Sequence, residues 1–231
     1  IDSPRPASQR AAALVLTAAM LTTLAAPAFA ATWRIEDGNI TVKAGDTEGT
    51  NKVSQGTIID KVDTNTIITN SDKATASSNT VTIDAEDHKV EVTLDNVNIK
   101  ADSGSALTSK GDVTLTLKGD NHLTGGNGDT YGGDGITSSG SLTISGGTVT
   151  ATGGNSTDSV GSGGSGISSF NRVAISGSTV TANGGDSSSN SGGYGISSLD
   201  VAISSGTVTA NGGDSKDGSG GNGIYSSSGV A

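Results

Sequence analysis

A repeating unit in the second half governs what this chain can fold into. Gly135-Ile136-Thr137-Ser138 leads to Leu142-Thr143-Ile144, then to Thr148-Val149-Thr150-Ala151-Thr152-Gly153-Gly154-Asn155. Gly166-Ile167-Ser168-Ser169 leads to Val173-Ala174-Ile175, then to Thr179-Val180-Thr181-Ala182-Asn183-Gly184-Gly185-Asp186. Gly195-Ile196-Ser197-Ser198 leads to Val201-Ala202-Ile203, then to Thr207-Val208-Thr209-Ala210-Asn211-Gly212-Gly213-Asp214. A fourth unit opens at Gly223-Ile224. The leading isoleucines are 31, 29 and 28 residues apart, yet the second isoleucine and the valine of Thr-Val-Thr stay five apart in every unit. A fixed step between apolar runs and a variable Gly/Ser/Asp stretch describe strands held in register, with one loop absorbing the length changes. A repeat of this length signals a solenoid, because one unit cannot bury its apolar face alone.

Weaker copies extend upstream. Ser105-Ala106-Leu107-Thr108 matches the Gly-Ile segment, Val113-Thr114-Leu115 matches Leu142-Thr143-Ile144, and Val92-Thr93-Leu94 reads as the same run one unit earlier. Residues 31–80 hold strand-like pieces, Ile40-Thr41-Val42, Ile58-Ile59 and Ile67-Ile68, without a period; they read as an N-terminal cap with the first irregular coils. Residues 81–231 read as the repeat region, which breaks off inside a unit at Ala231 and so reads as truncated there. Each unit carries three short alternating runs with Gly, Ser, Asn or Asp at the corners, and alternation places one face inward and one outward. The expected fold is all-β, a right-handed parallel β-helix solenoid with three short strands per coil; a β-sandwich or β-roll is the rival. Three interior columns follow: Ile136, Ile167, Ile196 and Ile224; Leu142, Val173 and Val201; Val149, Val180 and Val208.

Composition alone points the other way. Leu, Ile, Val and Phe supply only 38 of the 201 residues from Ala31 onward, and with a net charge of −10 that fraction suggests disorder. Valine and isoleucine outnumber leucine 30 to 7 in the same span, however, which is a strand bias. A narrow one-dimensional core filled by β-branched stacks needs little apolar material. Glycine is divided unequally, 4 in residues 1–100 and 32 in residues 101–231.

Residues 1–30 read as an address. Arg5 and Arg10 precede an apolar run from Ala11 to Leu24, and Ala28-Phe29-Ala30 is a small-x-small cleavage site, so Ala31 is the expected first mature residue of a secreted or cell-surface protein. The run is too short and too rich in Ala and Thr for a comfortable span, so no membrane insertion is expected after its removal. The absence of cysteine excludes disulfides and thiolate metal sites. The acidic balance opposes nucleic acid as a partner.

The outward residues carry little catalytic promise. His88 lies in a charged turn, Glu86-Asp87-His88-Lys89, and His122 follows Asp120-Asn121 in what reads as a corner. No local Ser/His/Asp set is suggested, and Arg172 and Lys216 are the only basic side chains after Lys118. Asn155, Asp186 and Asp214 share one position after Gly-Gly, so stacked coils bring their oxygens together as candidate Ca²⁺ ligands. The bland alternative stands beside it, since two carboxylates about 5 Å apart in a watery medium repel by only about 0.8 kcal/mol. Asn183 and Asn211 read as an asparagine ladder. Thr148/Thr150, Thr179/Thr181 and Thr207/Thr209 form an outward lattice, about 6.8 Å along the strand and about 4.8 Å between coils. That lattice resembles the ice-binding face of β-helical antifreeze proteins, though outward threonine is also ordinary strand filler. Tyr131, Tyr194 and Tyr225 sit at offsets of −5, −2 and +1 from their isoleucines and so should not form one column.

The stretch Lys89-Val90-Glu91-Val92-Thr93-Leu94-Asp95-Asn96-Val97-Asn98-Ile99, with Ser105-Ala106-Leu107 and Val113-Thr114-Leu115-Thr116-Leu117-Lys118-Gly119-Asp120-Asn121, resembles the bacterial secreted carbohydrate-binding domains typified by a clostridial cellulose- and pectin-binding β-helix. The resemblance covers residues 80–231. It implies a lyase-like parallel β-helix that binds cellulosic or acidic, pectin-like polysaccharide with calcium, and it brings no catalytic residues with it. Tyr131, Tyr194, Asp134 and Asp158 are the candidate carbohydrate contacts. A non-catalytic polysaccharide binder is therefore expected first, then an adhesin-like surface stalk, then a polysaccharide lyase or glycosidase, then an ice binder.

Overall fold

The computed structural model describes residues 30–158 and 160–231. Of the leader read at residues 1–30, all but Ala30 lies outside the described residues. The chain is almost all β, and its stacked coils form a β-solenoid of about six turns. Three parallel ladders run its length. In the first, Val81, Leu107, Ile136, Ile167, Ile196 and Ile224 pair in succession. In the second, Val92, Leu115, Ile144, Ile175 and Ile203 do so. In the third, Asn121, Val149, Val180 and Val208 stack beside Leu123, Ala151, Ala182 and Ala210. The three columns expected from the repeat are all present. Their buried members form one continuous apolar core, in which Leu107, Ile136, Leu142 and Ile144 are wholly sequestered. Burying one such side chain contributes roughly 1.5–3 kcal/mol, so a column of four or five can hold coils together without a wide interior.

The corners explain the polar residues of the repeat. Between the first and second ladders the chain turns over a column of buried serines, Ser109, Ser138, Ser169 and Ser198. Ser169 Oγ donates to the Gly140 carbonyl of the preceding coil at 2.8 Å, and Ser198 Oγ donates to the carbonyls of Asn171 (3.1 Å) and Asp200 (3.0 Å). An apolar side chain there would leave those turn carbonyls unpaired in the interior. Between the second and third ladders the backbone enters the left-handed region in every coil, at Asn96 (φ 55°), Gly119 (60°), Gly146 (73°) with Gly147 (29°), Gly177 (67°) and Gly206 (102°). Glycine is the residue that takes this conformation without strain, and asparagine tolerates it.

One sequence expectation changes here. Upstream, Val92 pairs with Leu115 and Val90 with Val113, so the earlier coil sits two residues away from the alignment that matched Val92 to Val113. The inward and outward faces survive, because a slip of two preserves a period of two; the irregularity between Asp84 and Lys89 absorbs the difference. The glycine-rich stretches are not slack. Their outgoing and returning legs interleave in a seam: Gly126 donates its N–H to Gly104, Gly133 to Gly126, Gly154 to Gly133, Gly164 to Gly154, Gly185 to Gly164, Gly193 to Gly185, Gly213 to Gly193 and Gly221 to Gly213, all at 2.7–2.9 Å. A Cβ added at Gly154, Gly164, Gly185, Gly193 or Gly213 would stand 1.8–2.1 Å from a facing carbonyl oxygen. Lack of space, not backbone conformation, requires glycine there. The loop tips beyond the seam vary in length, and the corner between the first and second ladders is one residue shorter in the coil of Ile196 than in that of Ile167.

Residues 31–80 are built differently. Thr32–Arg34 pairs in parallel with Ile67–Thr69. Ile40–Ala44 joins Val81–Asp95 in the first ladder, and Asn51–Gln55 and Ile58–Asp63 fold back on it as an antiparallel meander.

Candidate ligand-binding faces

The outward side of the third ladder is the most regular surface. Thr148, Thr179 and Thr207 pair across coils in one column, and Thr150, Thr181 and Thr209 in the next. Parallel pairing in register, with threonine stiffened at χ1 by its branched Cβ, sets the hydroxyls out in ranks about 4.8 Å apart. Among the described residues, none of these six hydroxyls hydrogen-bonds to another protein group. Upstream the same columns hold Asp120 and His122, so the threonine array ends after three ranks. His122 thus lies within the strand Leu107–Thr124, not in a corner. A third column holds Thr152, Asn183 and Asn211, and Asn211 Nδ2 donates to Asn183 Oδ1 at 2.9 Å, the asparagine ladder read from the sequence.

Asn155, Asp186 and Asp214 do share a column, which begins one coil earlier at Asn127. Asn127 Oδ1 accepts the Asn155 N–H (2.9 Å), Asn155 Oδ1 accepts the Asp186 N–H (2.8 Å), and Asp186 Oδ1 accepts the Asp214 N–H (2.8 Å). One side-chain oxygen each of Asn127, Asn155 and Asp186 is therefore committed to holding the next coil. Among the described residues no group of three or more His, Cys, Asp or Glu side chains converges. Calcium gathers six to eight oxygens, so an ion at this column would complete its shell with loop carbonyls, water or ligand oxygens.

The four candidate carbohydrate contacts fall in three rows of the glycine-rich edge. Tyr131 is exposed beside Ser162. Asp158 donates its N–H to the Asp129 carbonyl at 2.8 Å and is exposed at the tip. Asp134 and Tyr194 occupy the position two residues before the leading isoleucine of their coils. Asp134 is half-buried. Burial pushes its carboxyl above the ordinary carboxylate value, against the Ser165 N–H at 2.7 Å and the Thr137 hydroxyl, both of which favour the ionised form. Tyr194 stacks on Tyr225 with ring centroids 5.1 Å apart and planes 18° apart. The tyrosine offsets thus misled in one respect: all three do not align, but two of them meet, because the residue after one coil's isoleucine lies over the approach to the previous one.

Sequence reasoning missed the concave surface of the molecule. Two adjoining clefts of about 470 and 530 Å³ lie where the N-terminal meander meets the solenoid. Glu48 and Lys89 border both; Glu91 and Lys118 line one, His88 and Asp112 the other. The only sequence sign of them was the charged run Glu86-Asp87-His88-Lys89, which reads equally well as a solvated turn. Comparison with protein-family models, with curated proteins and with solved structures finds no match to this chain.

Proposed function

We propose that this is an exported, non-catalytic β-solenoid that binds extracellular polysaccharide along the threonine face of its third ladder. The observation that carries the reading is the two-by-three array of unpartnered threonine hydroxyls, one rank per coil. A polymer with regularly repeated hydroxyls can pair with such an array over its whole length, each contact adding about 1 kcal/mol. The stacked Tyr194–Tyr225 pair supplies an aromatic edge of the kind that packs on sugar rings. The leader features Arg5, Arg10 and Ala28-Phe29-Ala30 support export.

Net charge decides between glycan classes. A chain at −10 repels a polyuronate, so pectin-like binding needs a bridging cation, for which Asp186, Asp214 and Asn155 are the proposed calcium ligands. Neutral cellulosic polymer needs none. In a pull-down on cellulose and on polygalacturonate, the expected result is retention on cellulose with or without EDTA, and retention on polygalacturonate only without it. The paired substitution Thr179→Val and Thr181→Val keeps the β-branched shape and should weaken retention about tenfold. Wild-type retention by this variant contradicts the reading.

A second reading, a structural surface stalk, is favoured by the glycine seam, which ties each coil to the next through backbone alone. It predicts no retention on either polymer. Thermal hysteresis of supercooled solution is the remaining arm; a positive signal transfers the threonine face to ice.

A further inference from the structure

The N-terminal edge holds a buried carboxyl group with no ion-pair partner among the described residues. The Asp63 side chain is wholly buried, and it belongs to none of the ion pairs among the described residues, which join Lys43 to Asp60, Lys52 to Asp46, Lys110 to Asp84 and Arg172 to Asp200. Three N–H groups converge on it instead. Oδ1 accepts from the backbone N of Ala31 (3.1 Å) and of Asn65 (3.1 Å), and Oδ2 accepts from the Trp33 indole Nε1 (2.9 Å). Lys61 lies over the Trp33 ring, at 5.6 Å from its centroid. A buried carboxylate satisfied only by neutral donors is an expensive arrangement. The donor at Ala31, however, is the residue that the small-x-small site Ala28-Phe29-Ala30 would make the first of the mature chain.

We propose that leader removal completes this site: the α-ammonium freed at Ala31 becomes the countercharge of Asp63. This rests on the export reading and is independent of what the threonine face binds. Cleavage converts one amide N–H into an ammonium with three donors and a full positive charge at the same atom. The position of that atom is already fixed. The Ala31 carbonyl accepts the Ile67 N–H at 3.2 Å, Thr32 enters the ladder beside Ile67, and the Trp33 ring is buried next to it. Ala30, the residue before it, is exposed. The ammonium–Asp63 pair then clamps Thr32–Arg34 to the end of the meander strand Ile58–Asp63. An uncleaved precursor lacks this clamp, so processing and the stability of the solenoid's first coil are linked.

Two chains test this, one beginning at Ala31 and one retaining Ala28, Phe29 and Ala30. In urea unfolding, the chain beginning at Ala31 should have an unfolding constant about tenfold smaller, in line with hydrogen bonds to charged groups. Acetylating its N-terminus removes the charge while leaving Asp63 in place, and should abolish the difference; Asp63→Asn should abolish it as well. Equal stability of the two unmodified chains overturns the proposal, as does a gap that persists after acetylation. The mass of the exported protein supplies the other arm, with a start at Ala31 expected. An uncleaved chain overturns export and this proposal together, whereas a chain cleaved at Ala31 without the stability gap overturns this proposal alone.

Discussion

Replacing Gly185 by alanine should destabilise the protein by about 3 kcal/mol, a large share of a typical domain's stability. The added methyl would lie 2.0 Å from the Gly154 carbonyl oxygen and 2.6 Å from its carbon, and both belong to backbone that is itself hydrogen-bonded into the seam. Nothing flexible can move aside. Relief requires the two legs to separate, which breaks the bond from Gly185 to Gly164 and that from Gly193 to Gly185. Gly220→Ala is the control within the same loop family, since its Cβ would meet only the Gly213 oxygen at 3.5 Å. That substitution should be neutral or slightly stabilising, because alanine narrows the unfolded ensemble. Urea unfolding of both variants checks the pair. If the two glycines respond alike, the glycine-rich half is slack and the seam does not exist.

The second large effect is expected at Asn121, and it runs against the repeat. The next coils place Val149, Val180 and Val208 in this column, so a rule built on the repeat would call Asn121→Val an improvement. Asn121 is wholly buried, and its amide joins three backbone groups. Its Oδ1 accepts the Val97 N–H at 2.9 Å, while Nδ2 donates to the carbonyls of Lys118 (3.2 Å) and Thr148 (3.0 Å). Valine would leave the Val97 N–H unpaired in the interior and take a donor from the Thr148 carbonyl, while the Lys118 carbonyl keeps the Asn96 N–H at 3.1 Å; an unpaired buried group costs about 1–3 kcal/mol. The expected loss is about 3 kcal/mol, read as a lower urea midpoint with an unchanged slope. A variant as stable as the parent would show that the amide is dispensable and that Val97 finds another partner.

These two positions also show how far the sequence could be read. The ladders were legible because the step of five residues from Ile144 to Val149 recurs from Ile175 to Val180 and from Ile203 to Val208, and a recurring step can only mean register. Register faded upstream, where Val92 was matched two residues out. A slip of two keeps every side chain on its proper face, so alternation alone cannot detect it. The seam was hidden for a different reason. A glycine needed because a facing carbonyl leaves no room for Cβ has the same letter as one in a flexible linker. The antiparallel meander at Ile40–Ala44, Asn51–Gln55 and Ile58–Asp63 has no repeat to announce it, and its clefts are created by tertiary placement of Glu48 against Lys89. Of the candidate site, the threonine columns and the Asn183–Asn211 contact were readable, since both follow from register. The meeting of Tyr194 with Tyr225 was not, because it depends on how the chain approaches Gly195 from the loop, which an offset counted along the sequence does not encode.

Everything rests on equal positions of neighbouring units lying side by side. The absence of cysteine makes that directly measurable, since two introduced thiols have no competitor. Ser168 and Ser197 pair in register on the outward face of the first ladder, whereas Ser198 points into the interior. Neighbouring parallel strands lie about 4.8 Å apart, within the Cα range that a disulfide spans. Under mild oxidation Ser168→Cys with Ser197→Cys should close a disulfide nearly completely, and Ser168→Cys with Ser198→Cys should not. Equal cross-linking of the two pairs, or none of either, would contradict the stacked solenoid and the binding face built upon it.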